Sequence, residues 1–239
     1  MHTRVLADLL GDQRLFTYKV IYDAGTAPNP YGGLCTLAIC KPAIRRVAKP
    51  GDLVVGLASG SEGRVVYCMK VTNSLTWREY IDACSGKTEY EEFHKLALKI
   101  PKSQIDQGDC IWPSADFYEE ALPSWSGHSG HDSFQHDVVN GANVLLSSEF
   151  WYFGSGDRFN VQLPKGLTHI IPGRGHRSNG NREFRDLFVR FFNEALRLHS
   201  IDEYGVHGRP QLAPDCGDES ERIRCRSLQR LDDFAEEDQ

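Results

Sequence analysis

Two apolar runs, DLVVGLAS at 52–59 and RVVYCMKVT at 64–72, are separated only by a short Gly/Ser/Glu turn. Strands joined this tightly pair antiparallel, so the pair predicts a β-hairpin. Upstream, RLFTYKVIYD (14–23) places apolar residues at 16, 18, 20 and 22, the alternation of a third strand. Strands dominate the first half of the chain without the βαβ alternation that a doubly wound sheet requires. The order strand, short helix, hairpin, helix, mixed region, strand, helix predicts an α+β fold. Its expected form is a curved or barrel-like mixed β-sheet with flanking helices.

Local signals place the other elements. LCTLAIC (34–40) is apolar, and Lys41-Pro42 opens a short helix reaching Ala48. Proline suits a first helical turn, where its missing N–H has no partner to lose. Thr76-x-x-Glu79, flanked by Leu75 and Tyr80, reads as a capping box with a hydrophobic staple ahead of WREYIDAC. EYEEFHKLALKI reads as a helix ending at Pro101, GDCIWP as a short strand, and 114–141 as a long ordered loop. NVLLSSEFWYFG (143–154) predicts a strand with a turn inside it. In NREFRDLFVRFFNEALRLHS, apolar residues at 184, 187, 188, 191, 192, 195 and 198 predict an amphipathic helix with one buried stripe.

Charge is uneven along the chain. The net charge of −6 resides in 201–239, which hold eleven acids and five arginines, while 1–200 are neutral. That acidic, apolar-poor tail is expected to be largely disordered. Residues 41–49 carry four bases and no acid, and 164–199 carry seven bases and three acids. An acidic average therefore leaves room for a polyanionic ligand. No run of about 18 apolar residues predicts a membrane span. The N-terminus is too polar for a signal peptide. Seven scattered cysteines without a CxxC pair read as reduced thiols, so the expected location is the cytoplasm.

Several groups of residues carry candidate chemistry. His128, His131 and His136, with Asp132 and Asp137, form a weak metal-ligand pattern; no metal is predicted there and no cofactor elsewhere. Cys35 and Cys40 are candidate nucleophiles if His136 or His176 approaches, and Cys40 precedes a helix start. Trp112, Trp125 and the FWYF run at 150–153 offer rings for stacking on a base, against the simpler reading of core packing. IPGRGHR (171–177) combines glycine amides with arginine forks and sits shortly before a helix, a pattern suited to phosphate. It matches neither the Walker A loop nor GxGxxG. No Ser-His-Asp order, HExxH, deaminase or kinase signature is present, so the balance leans toward binding over catalysis.

YKVIYDAGTAPNPYGGLCTLAICKPAIRR, GDLVVGLAS, VVYCMKVT, LLSSEFWYFG and GRGHR, taken in this order, resemble the family called nucleotide modification associated domain 2. The hairpin followed by a capped helix is also similar to PUA-like modules of the ASCH and EVE type, small barrels that accommodate modified bases. The resemblance implies a nucleotide modification associated domain over 14–200, with 1–13 as an N-terminal extension and 201–239 as the tail. It implies a role in bacterial or phage DNA modification, with a nucleotide or nucleic acid, DNA foremost, as partner and no membrane. The oligomeric state is not set by the sequence.

The implied function is binding of a nucleotide or modified base. Alternatives are an enzyme acting on nucleotides or modified bases through the His/Asp loop (128–137), with GRGHR holding phosphate, and a protein-interaction module. The implied ligand-binding residues are Asn29, Tyr31, Lys41, Tyr152, Arg174, His176 and Arg177. The implied catalytic candidates are His136, Asp137, His176 and Cys35.

Overall fold

A computed structural model describes residues 4–59, 63–87, 91–100, 108–122, 128–155, 159–173 and 175–210. Arg174, Trp125 and most of the acidic tail, all singled out above, lie outside the described residues.

The hairpin forms as its sequence dictates. β3 (Leu53–Ala58) and β4 (Val65–Lys70) run antiparallel, with a register shift between Gly56 and Leu57. β1 (Leu15–Val20) lies parallel to β3 on the other side. Gly56 has a steric reason: a Cβ there would come within 2.4 Å of the Tyr67 ring opposite it. β2 (Cys35–Leu37) is a short strand of a different sheet. α1 (Pro42–Val47) begins at proline as predicted. β5 (Asn73–Thr76) leads into α2 (Trp77–Cys84), where Thr76 and Glu79 complete the capping box.

β6 (Asn143–Ser147) and β7 (Glu149–Tyr152) are the strand with an internal turn, and the turn moves the chain from one sheet to the other. The larger sheet has the order β8-β1-β3-β4-β7-β9, completed by β8 (His176–Arg177) and β9 (Gly205–Val206). The smaller has the order β2-β6-β5. The fold is thus α+β with a mixed sheet and flanking helices. Among the described residues the strands do not close into a barrel, since β8 and β9 are separate edges.

Alternation along the strands sorts side chains into layers. Leu15, Leu53 and Val55 face α4 (Arg185–Leu198), together with Trp151, Phe188 and Phe192. Phe16, Tyr18, Val54, Tyr67 and Tyr152 face the opposite way, toward Cys35, Leu37, Ile44 and Leu145. Val144 and Leu146, neighbours of Leu145, point into a third core with Trp77, Tyr80 and Trp112. The order of layers is helix, large sheet, small sheet, helix. Both sheets are covered on both faces, which explains why β3 and β4 read as nearly continuous apolar runs.

Five sequence expectations are corrected. Residues 114–141 are not one loop: α3 (Gly130–Phe134) continues into a π-helix at Gln135–Asn140. GDCIWP contributes only an isolated bridge, Ile111 to Leu122. The segment before Pro101 is a 3-10 helix, Glu91–Lys99. The stripe of α4 is rotated: Val189 and Leu196 are buried, whereas Leu187 and Leu198 are exposed. The chain also stays packed beyond 200, with Ile201 buried and β9 paired to β7.

Candidate functional site

The site is built where the end of the β2 segment turns into α1. Cys40 and Lys41 both adopt left-handed backbone, with φ of 57° and 45°. Such conformations are costly for residues with a side chain, and they cluster at functional positions. The turn is held from behind by Arg45, which is fully buried. Its guanidinium donates to the carbonyls of Cys40 (2.6 Å), Asn143 (2.8 Å) and Asp137 (2.7 Å).

Asp137 is the hub. It lies in the π-helix, whose widened turn carries a Gly141 N–H to the His136 carbonyl, five residues back. π-helical turns of this kind recur at functional sites. The buried carboxylate accepts from the Cys40 N–H (2.9 Å), the His136 ring (3.1 Å), the Trp112 indole (3.2 Å) and His128 Nδ1 (2.6 Å), with the Arg45 guanidinium 3.7 Å away. An ionised carboxylate only accepts, so His128 Nδ1 carries a hydrogen. The other ring nitrogen, Nε2, lies 3.3 Å from the Cys40 sulfur.

Cys40, His128 and Asp137 therefore stand in the order thiol, imidazole, carboxylate. Burial opposes a charged His128, but Asp137, the Cys40 sulfur and the hydrogen bonds to both outweigh it and hold its pKa well above the usual value. Burial likewise opposes an ionised Asp137. The charge of His128, the bonds from His128 and His136, and Arg45 overcome this and hold the carboxyl far below the usual range. Both shifts describe one buried ion pair.

A second group adjoins this corner. The Lys41 ammonium lies over the Tyr18 ring, 5.4 Å from its centre. β8 pairs with β1 so that His176 stands opposite Tyr18. Burial first, then the Lys41 charge, push His176 below its ordinary value. The Tyr18 hydroxyl meets that of Tyr67 at 2.9 Å. Burial raises the Tyr18 pKa well above normal, and nearby Cys40, Cys35 and Asp23 add to the shift.

The predicted residues divide accordingly. Lys41 and His176 come together beside Tyr18, while Arg177 is exposed on the β8 edge. Of GRGHR, His176 and Arg177 lie in an edge strand, and a 3-10 turn at Asn179–Phe184 intervenes before α4, so these two residues do not open the helix. Asn181 in that turn is fully buried and donates to the Leu15 and Arg177 carbonyls, which locks the segment onto β1.

Asn29 is also fully buried. It donates to the Gly25 carbonyl and accepts from Lys99, so it braces the loop and does not line an open surface. Tyr152 is buried and donates to Asp23 at 2.6 Å. Tyr31 is partly exposed near Asp23, and burial followed by that carboxylate raises its pKa. Cys35 is buried in β2, and burial pushes its thiol up to about 12, the reverse of activation. His131 packs against Tyr118, with ring centres 4.3 Å apart, and does not join His128 and His136. Among the described residues no three His, Cys, Asp or Glu side chains converge as a metal site. Trp112 and the FWYF run lie in the cores.

The pairing of Cys40 with His128 was not visible in the sequence, which suggested His136 or His176 as its partner. The two residues are 88 positions apart, and no local pattern joins them. No curated protein and no solved structure matches the chain. The family described as nucleotide modification associated domain 2 matches residues 12–211, a span that includes every element positioning Cys40, Lys41, His128, Asp137 and His176. With most of its length matched, this chain belongs to the nucleotide modification associated domain 2 family, whose name ties it to nucleotide modification.

Proposed function

We propose that this protein binds a nucleotide, or a modified base within nucleic acid, at the corner formed by Tyr18, Lys41 and His176, where Tyr18 and Lys41 are buried and His176 is half-buried. The observation that carries the reading is the convergence of three different recognition groups from separate segments. Lys41 supplies a cation for a phosphate oxygen, held by a left-handed turn over the Tyr18 ring. His176, with its pKa depressed by burial and Lys41, is neutral near neutral pH. A neutral imidazole has one donor and one acceptor, which suits a base edge or a sugar hydroxyl. Arg177, the next residue of the strand, pairs with Thr17 and points to the other face of the sheet, so it is not part of this group. Family membership supports a nucleotide over other anions.

The test is equilibrium binding of a nucleoside monophosphate panel and of single-stranded DNA by calorimetry, across a salt series. Affinity is expected to fall with salt. Lys41→Met is expected to weaken it by about tenfold, the scale of one lost charged hydrogen bond. Equal affinity in wild type and Lys41→Met would remove this site from the proposal.

A further inference from the structure

We propose that Cys40, His128 and Asp137 form a nucleophilic triad, and that this protein cleaves an acyl bond, amide or ester, through a covalent thioester on Cys40. That the acyl group belongs to a nucleotide or modified base rests on the binding site proposed above. The nucleophilic reading itself rests on geometry.

The arrangement meets the requirements of a thiol nucleophile in order. The base is within reach: His128 Nε2 lies 3.3 Å from Cys40 Sγ. The base is oriented: Nδ1 donates to Asp137 at 2.6 Å, which fixes the tautomer and points Nε2 at sulfur. The carboxylate is itself immobile, held by Trp112, His136 and Arg45. It also accepts the Cys40 N–H at 2.9 Å, so one side chain positions both the backbone of the nucleophile and the ring of the base.

Cys40 differs from the other described cysteines. Cys35, Cys68, Cys84 and Cys110 are buried, and burial raises the thiols of Cys35 and Cys84 to about 12. Cys40 is partly exposed and sits on left-handed backbone. A cysteine serving only as a small core hydrophobe needs neither exposure nor an imidazole at its sulfur. Lys41 follows directly in the chain, and Tyr18, whose ring lies under the Lys41 ammonium, also feels the Cys40 sulfur, so both residues border the same corner.

The chemistry balances with water as the only co-reactant. The Cys40 thiolate attacks the carbonyl carbon, forming a C–S bond while the π-electron pair moves to oxygen. Collapse of the adduct breaks the C–N or C–O bond, and the His128 imidazolium gives its Nε2 proton to the departing amine or alcohol. His128, now neutral, takes a proton from water as that water attacks the thioester. The C–S bond breaks, a carboxylic acid leaves, and the thiolate–imidazolium pair is restored. No metal or redox cofactor enters the sequence.

Two probes test the proposal without a known substrate. Iodoacetamide alkylation of the full-length protein, with the site assigned by peptide mapping, reads the thiolate at Cys40. A preformed thiolate gives a rate nearly flat from about pH 6 to about pH 8, and His128→Gln restores a rate that climbs with pH as for an ordinary thiol. p-Nitrophenyl acetate reads acyl transfer: a burst of one nitrophenolate per chain is expected, with the acetyl group mapped to Cys40.

Cys40→Ser, a near-isosteric change, is expected to keep the melting temperature and lose the burst. A wild-type alkylation profile that climbs like the His128→Gln profile would overturn the proposal. So would acetyl groups mapped to lysines with none on Cys40. Because neither probe is a nucleotide, these outcomes are independent of the nucleotide-binding test. Loss of binding in Lys41→Met with no burst in wild type would leave a reader without catalysis.

Discussion

Replacing Asp137 by Asn keeps the volume of the side chain and removes one acceptor and the charge. The carboxylate oxygens divide their work: Oδ2 serves His128 and Trp112, while Oδ1 serves the Cys40 N–H and His136 and faces Arg45. An amide NH2 in either position points a donor at two or more donors. Each buried donor left without an acceptor costs about 1–3 kcal/mol. Two cations, His128 and Arg45, also lose their buried counter-charge, a change that typically costs about 3–5 kcal/mol. These terms overlap, so the expected loss is about 4 kcal/mol. For a chain of this size that corresponds to a fall in melting temperature of roughly 8–16 °C.

Urea unfolding near neutral pH measures the loss, provided the slope is unchanged from wild type. The difference should also depend on pH. Asp137 is ionised in the folded state far below its ordinary value of 3.8, so its stabilisation is present above that value and lost as pH falls toward the folded one. The gap between wild type and Asp137→Asn should therefore narrow in acid. A loss below about 1 kcal/mol near neutral pH, with an unchanged slope, would refute the view of Asp137 as the hub of a buried ionic network.

Two other perturbations probe what surrounds the hub. A Cβ on Gly141 would lie 2.1 Å from the Arg45 guanidinium, which three carbonyls hold in place, so Gly141→Ala should cost about 2–3 kcal/mol in the same unfolding assay. Lys99 is buried against the Asn29 and Leu34 carbonyls, and burial lowers its pKa from 10.5 to about 8 despite Asp109 nearby. Between those two values the unfolded chain binds a proton that the folded chain has lost. Wild-type stability should therefore gain an upward contribution with pH in that window, and Lys99→Met should lack it.

Much of the fold was legible in short stretches of sequence. The hairpin followed from two apolar runs and a short turn, α1 from Pro42, and the start of α2 from Thr76 and Glu79. These signals are local because their physics is local: a cap bonds three residues away, and a hairpin closes through its own turn. The stripe of α4 was found but misphased, since Leu187 and Leu198 are apolar yet exposed. Periodicity records which residues can be buried, while the partner surface selects those that are. GRGHR reads in sequence as a phosphate-suited loop shortly before a helix, because composition does not reveal that β1 offers an edge for His176 and Arg177 to join.

The candidate site divides in the same way. The sequence by itself determined its ingredients: a basic turn at Lys41, a His/Asp-rich stretch at 128–137, two cysteines around TLAI, and the family to which their order belongs. Only the tertiary structure decided which of them meet. It buried Cys35 between the sheets and left Cys40 at the rim, turned His131 away to Tyr118, and set His128 against Cys40 across 88 residues. The physical reason is that a buried carboxylate requires donors on every side. Asp137 gathers them from α1, the 128–137 segment and Trp112, elements that only the stacking of the layers brings together.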